Sequence, residues 1–169
     1  MAITYRPAKS EDLEEAERVV QEAGNELRMR YDRQPWPEPR KWMAEIDEAL
    51  LGLRRDLHHR FLLGDGAARG VRIEQAGRTA GYAYISAEGH VGPLAIAPDD
   101  DAKAVVTTAL RCALESRPSQ VSMIVPGRAD VVVRAVLALG FRIEEPYVLM
   151  ASRPFGNWSN YLPRTPGFL

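Results

Sequence analysis

The hydrophobic positions of this chain recur with a helical period in some stretches and with a period of two in others. Apolar residues spaced by three and four predict amphipathic helices over residues 11–23, 40–58, 102–114 and 129–139. Alternating apolar residues predict strands at residues 3–6, 71–74, 82–85, 90–97, 121–125 and 147–151. The strands at 71–74, 82–85 and 90–97 follow one another through turns and so predict antiparallel pairing, whereas helices separate the other strands. The pattern therefore predicts an α+β domain (an α/β mixed sheet), with a mostly antiparallel sheet flanked by helices.

Glycine and proline residues refine this picture at three places. Ala76-Gly77 suits a hairpin turn between the strands at 71–74 and 82–85. Gly92-Pro93 lies inside the strand at 90–97, and proline cannot donate to the ladder, so we expect a bulge there. The three prolines between residues 28 and 39 predict a loop.

The length and composition of the chain agree with an ordinary globular domain. It has 169 residues, of which 46% are hydrophobic and 27% charged. We expect one domain over residues 1–152, followed by an aperiodic tail, residues 153–169, that packs on this domain or on a second subunit. With 22 Lys and Arg against 23 Asp and Glu, the formal net charge is -1, so neither nucleic acid nor a membrane is an expected partner.

Targeting segments and metal-binding patterns are missing from the sequence. The first residues lack the apolar core of a signal peptide, and no stretch approaches the roughly 18 apolar residues of a membrane helix, so we expect a cytoplasmic protein. Cys112, the single cysteine, has no partner for an internal disulfide. His58 and His59 are adjacent and would point in different directions on a helix, so we expect no metal site.

The order of four short phrases resembles the GNAT acyltransferase superfamily over most of the chain. These phrases are Ile3-Thr4-Tyr5-Arg6-Pro7-Ala8, Gly81-Tyr82-Ala83, Gly92-Pro93-Leu94-Ala95-Ile96-Ala97-Pro98 and Leu139-Gly140-Phe141. The resemblance implies a GNAT-like domain that moves an acetyl or other acyl group from acetyl-CoA, its co-substrate, to a small-molecule or peptide amine. The alternative is a catalytically inactive GNAT-fold domain that binds a ligand or a protein, and a homodimer is compatible with both.

The resemblance also implies where acetyl-CoA would bind. The pantetheine arm would lie along the backbone of Leu94, Ala95, Ile96 and Ala97, and the diphosphate at the start of the next helix, at Lys103, Ala104 and Val105. The family's signature there is Gln/Arg-x-x-Gly-x-Gly/Ala, but its three defining positions hold Asp101, Ala104 and Val106. Two interpretations stay open: the aspartates at 99–101 cap their own helix, or Lys103 compensates for the lost glycines.

Three residues are candidates for the chemistry of acyl transfer. Glu88 and His90 share a face of an extended segment, and either could accept a proton from the attacking amine. Tyr84 could line the acceptor pocket. The structural alternatives are a turn residue, a strand-edge polar group and a tyrosine packed against a helix. The family's usual general-acid tyrosine is absent, because Val136 occupies its position.

Overall fold

The protein was analysed as a computed structural model that describes residues 40–64 and 68–166, together with Arg18 and Glu22. Arg18 and Glu22 are both helical, in agreement with the helix expected at 11–23. The strand expected at 3–6 and the loop expected at 28–39 lie outside the described residues.

Within residues 40–64, the chain forms two helices before the sheet: α1 at Lys41–Leu51 and α2 at Asp56–Gly64. The single helix predicted over residues 40–58 was therefore wrong. The first helix ends because Gly52 adopts a left-handed conformation with a φ of 72°, and its N–H bonds to the carbonyl of Glu48. The stripe that predicted α1 is correct, since Met43, Ile46 and Leu50 are buried.

In the described part of the chain, the sheet has four antiparallel strands in the order β1-β2-β3-β4: Ala68–Gln75, Arg78–Ser86, Val91–Ile96 and Tyr161–Leu162. The predicted hairpin between β1 and β2 is confirmed, and Ala76 and Gly77 turn it with positive φ angles of 51° and 77°. The bulge predicted in β3 is also confirmed. Ala83 pairs with Leu94 and Ile85 with Val91, so Gly92-Pro93 stands opposite one residue of β2.

Helices cover both faces of this sheet. On one face, α3 (Ala102–Leu114) and α4 (Asp130–Ala138) pack over a core that includes Leu94, Ile96 and Leu162. On the other face, α1 and α2 pack over Tyr82, Tyr84, Ala95 and Tyr161. The period of two thus places alternate residues of each strand in different cores, and the α+β class predicted from the sequence is confirmed.

Two predicted strands do not form. Residues 121–125 make a single parallel bridge, between Ser122 and His90, and residues 147–151 form no strand with the described part of the chain. The physical reason lies at the edge of β3. Beyond the bridge at Ser122, the edge of β3 is already paired with β4. This strand belongs to the tail, residues 153–169, whose sequence has no hydrophobic period. The prediction that this tail covers an apolar surface is confirmed for Tyr161 and Leu162, which are fully buried.

Replacement of Gly81 tests the close approach of β2 and β3. A Cβ at Gly81 would overlap the carbonyl oxygen of Ala95, so we expect Gly81→Ala to lower the free energy of unfolding by about 1–3 kcal/mol. Gly127→Ala is the matched control, because no atom lies within 4 Å of the Cβ it would add. Urea unfolding of both variants measures the difference. Equal midpoints would contradict the observed register.

Candidate functional site

The outer edge of β3 is the centre of the candidate site, and two other segments of the chain are hydrogen-bonded to it. Near the start of the strand, Ser122 donates from its N–H to the carbonyl of Gly89 at 3.2 Å and accepts from the N–H of Val91 at 2.8 Å. Further along, β4 pairs with Leu94 and Ala95. After Ser122, residues 123–125 belong to no strand, and the space along the edge is taken by the tail.

The four residues expected to hold pantetheine, in β3 and directly after it, have backbone contacts within the chain itself. Leu94 pairs with Leu162, and Ala95 pairs with Tyr161. Ile96 donates from its N–H to the carbonyl of Asn160 at 2.8 Å, while the N–H of Ala97 bonds to Ala80. Any ligand that used this edge would have to displace residues 160–162.

The start of α3, the expected diphosphate site, is capped by the chain. The side chain of Asp101 accepts hydrogen bonds from the N–H groups of Lys103 at 3.0 Å and Ala104 at 3.2 Å. Asp100 accepts from Arg78 at 2.8 Å, and the N–H of Val105 bonds to the carbonyl of Asp101 within the helix. The self-capped interpretation of this helix start is confirmed, and two N–H groups that could face a phosphate already have a carboxylate partner.

Beside β3 lies a large open groove of about 1840 Å³, which we call the C-terminal groove. Its walls are residues 120–128, 139–149, 153–156 and 163–166, with one side of α4. Large apolar side chains are exposed along the second wall, above all Val148, which is 86% exposed, with Ile143 and Leu149. The groove is lined by five arginines (Arg128, Arg134, Arg142, Arg153 and Arg164) and three carboxylates (Asp130, Glu144 and Glu145), so its charge is net positive.

His90 lies in the lining of this groove, and its ring contacts Ser122. Nδ1 of His90 is 3.0 Å from Oγ of Ser122, and both side chains are partly buried. Burial lowers the pKa of His90, and the charge of Arg164 acts in the same direction, although the nearby backbone of Arg164 opposes the shift. The imidazole is therefore neutral at neutral pH and can accept a proton.

Glu88 and Tyr84, the other two catalytic candidates, have different surroundings. Glu88 is exposed in the turn before His90, and hydrogen bonds from its own backbone N–H and from Ser86 lower its pKa, which makes it a weaker base. Tyr84 is fully buried, and its hydroxyl lies 2.9 Å from Nδ1 of His59. Glu88 and His90 thus share one turn, whereas Tyr84 belongs to a buried network under α1 and α2.

That network joins four side chains that are almost completely inaccessible. Oδ2 of Asp47 lies 2.9 Å from Nε2 of His59, and Oδ1 accepts a hydrogen bond from the hydroxyl of Tyr82. Burial and the neighbouring charge of Asp47 raise the pKa values of Tyr82 and Tyr84, so both hydroxyls stay protonated. The interpretation of the two tyrosines as packed residues is confirmed, and hydrogen bonds satisfy their polar ends.

Neither Asp47 nor Ser122 was predicted as a site residue from the sequence. A signal for Asp47 was present, because a carboxylate at residue 47 falls within the apolar stripe of Met43, Ile46 and Leu50. A buried aspartate requires polar partners, which would have directed attention to His59. Ser122 gave no such signal, since only the topology of the sheet brings it to His90.

Comparisons with known proteins assign no family and no function to this chain. No family model, no curated protein and no solved structure matches the chain significantly. Among the described residues, no group of His, Cys, Asp and Glu side chains could hold a metal ion. None of the helices in the described ranges has the length and apolar character needed to cross a membrane.

Removal of the Asp47 carboxylate should destabilise the whole fold. We expect Asp47→Ala to lower the free energy of unfolding by about 2–5 kcal/mol, because it leaves buried groups of His59 and Tyr82 without their acceptor. Glu45→Ala, at an exposed position of the same helix, should change it by less than about 0.5 kcal/mol. Denaturant unfolding followed by circular dichroism measures both, and similar effects of the two variants would contradict this assignment.

His58 should make stability depend on pH. Burial, with the charges of Arg55 and His59, lowers the pKa of His58 from 6.5 to about 4, although Asp47 opposes the shift. Since the folded-state pKa is the lower one, the contribution of His58 is complete above about 6.5 and declines as the pH falls toward 4. We expect His58→Gln to reduce the loss of stability between about pH 7 and about pH 5, measured by urea midpoints. If His58→Gln and the wild-type protein lost the same amount of stability over this pH range, this role of His58 would be excluded.

Proposed function

We propose that this chain is a binding domain with a GNAT-like arrangement of strands, located in the cytoplasm, and that it binds an extended acidic and apolar segment of a protein partner in the C-terminal groove. The observation that carries the proposal is the wall of this groove. Two segments with strand-like sequences, residues 121–125 and 147–151, lie in it or beside it without belonging to the sheet.

The backbone of the groove supports recognition of an extended peptide. The N–H groups of Met123, Ile124 and Val125 donate to no backbone carbonyl in the described part of the chain. Extended backbone with unused hydrogen-bonding groups is a template for an added strand, which is a common way to bind peptides. A partner segment that paired with residues 123–125 would extend the sheet pairing that begins at the bridge of Ser122.

The side chains of the groove support an apolar partner with acidic residues. Val148 and Ile143, which are 86% and 77% exposed, are large apolar residues in the lining, and exposed apolar surface of this kind is typical of an interaction site. The excess of arginine over carboxylate in the lining favours a partner of negative charge, since complementary charge raises the association rate and excludes basic segments.

The same geometry is less suited to acetyl-CoA-dependent N-acyltransfer, which stays a prediction from the resemblance. Pantetheine would compete with residues 160–162 for the edge of β3, and the diphosphate would compete with the carboxylate of Asp101 for the start of α3. The diphosphate would also approach Asp99 and Asp100, whose charges repel it. These contacts favour the alternative of a binding domain.

Selection from a peptide library displayed on phage tests the proposal. We expect enrichment of extended peptides that combine acidic and apolar residues, and at least tenfold weaker binding of these peptides to Val148→Asp, because the new carboxylate repels them and is costly to cover. Val131→Asp is the matched control, since Val131 is an exposed valine of α4 outside the groove. No enrichment, or equal binding to both variants, would contradict a peptide-binding groove.

Calorimetric titration with acetyl-CoA completes this test. We expect no binding heat and no change in melting temperature at millimolar acetyl-CoA. Stoichiometric binding with a micromolar Kd would overturn the proposal and favour the N-acyltransferase.

A further inference from the structure

Ser122 and His90 form the arrangement that a serine nucleophile and its base require. Oγ of Ser122 lies 3.0 Å from Nδ1 of His90, within the range in which an imidazole removes a hydroxyl proton. Both side chains line the open C-terminal groove, so a substrate carbonyl could reach Oγ. The pair is 32 residues apart in the chain and is brought together by the fold alone.

The backbone holds the two residues in place from both sides. Ser122 bonds through its N–H and its carbonyl to the residues that flank His90, namely Gly89 and Val91. Gly89 makes this approach feasible: it has a φ of 92°, and a Cβ there would overlap the carbonyl of Gln120. His90 is fixed further by its own N–H, which donates to Oγ of Ser86 at 3.1 Å.

The far side of the imidazole is buried. Nε2 of His90 makes no hydrogen bond with the described part of the chain, and a Cβ added at Gly92 would come within 3.1 Å of it. When Ser122 donates to Nδ1, the ring proton lies on Nε2, and Nδ1 is the nitrogen that acts as the base. The guanidinium of Arg164 lies 3.5 Å from the carbonyl of Gly92 and brings a positive charge to the same part of the groove.

We propose that Ser122 is a nucleophile, with His90 as its general base, and that it takes an acyl group from a carboxylic ester. Oγ forms a bond to the ester carbonyl carbon as its proton passes to Nδ1 of His90. Arg164 stabilises the negative charge that develops on the carbonyl oxygen. The C–O bond of the ester then breaks, and His90 returns the proton to the departing alkoxide, which leaves as an alcohol.

Water completes the cycle. His90 takes a proton from a water molecule that adds to the acyl-serine carbonyl, and then returns it to Oγ as the C–O bond to Ser122 breaks, which releases a carboxylic acid. No redox step or cofactor enters this sequence. The site does not depend on the proposed peptide binding, because a small ester needs only Oγ and the imidazole, so each idea can fail without the other.

A fluorophosphonate probe and p-nitrophenyl acetate test the site directly. We expect the probe to label wild-type protein on Ser122, as mapped by mass spectrometry, and p-nitrophenol release to fall at least about a hundredfold in Ser122→Ala and in His90→Gln. Ser116→Ala is the matched control, since Ser116 lies just after α3 and outside the groove, and its labelling and ester hydrolysis should equal those of the wild-type protein.

A variant that keeps a nucleophile separates chemistry from folding. Ser122→Cys should react with iodoacetamide at neutral pH at least tenfold faster than the same variant carrying His90→Gln, because the imidazole promotes thiolate formation. Circular dichroism of each variant verifies the fold. The proposal is overturned if the folded wild-type protein is not labelled, if the label lies on another residue, or if ester hydrolysis is unchanged in folded Ser122→Ala.

Discussion

The pairing of the C-terminal tail with β3 is the interaction on which the rest of the structure depends. Tyr161 and Leu162 continue two rows of residues across the sheet: Tyr82, Ala95 and Tyr161 form one row, and Ala83, Leu94 and Leu162 form the next. The first row faces α1 and α2, and the second faces α3 and α4. A two-residue strand therefore completes both hydrophobic cores, and it also occupies the edge of β3 that another ligand would need.

Most of the elements that were predicted correctly depend on local pattern. The hairpin of β1 and β2 requires only alternating residues and a turn that tolerates positive φ, and α3 requires a helical stripe preceded by an aspartate. The errors arise where distant segments compete for the same backbone. Residues 121–125 have the composition of a strand, but which segment pairs with β3 is decided by the burial of Tyr161 and Leu162, about 40 residues later, and no local period records that.

In the candidate site, too, features that depend on the local sequence could be predicted, whereas contacts between distant residues could not. His90 could be selected from the sequence because a histidine beside a turn and a predicted bulge is a reasonable base. Its partner could not, because a serine in a predicted strand has no distinguishing feature until the chain folds. The surroundings of Tyr84 could not be predicted for a related reason: its hydroxyl lies against His59, and this contact follows from the packing of α2 on the sheet.

The two polar clusters of the protein differ in one respect that decides their roles. In the network of Asp47, His59 and the two tyrosines, every polar end is matched by another and the side chains are inaccessible, so its chemistry is confined to holding α1 and α2 against β2. His90 and Ser122 also form a hydrogen bond, but they line an open groove at the edge of β3. Because the buried network fixes β2, and β2 fixes the register of β3, the closed cluster provides the rigid support that a reactive pair at an open edge requires.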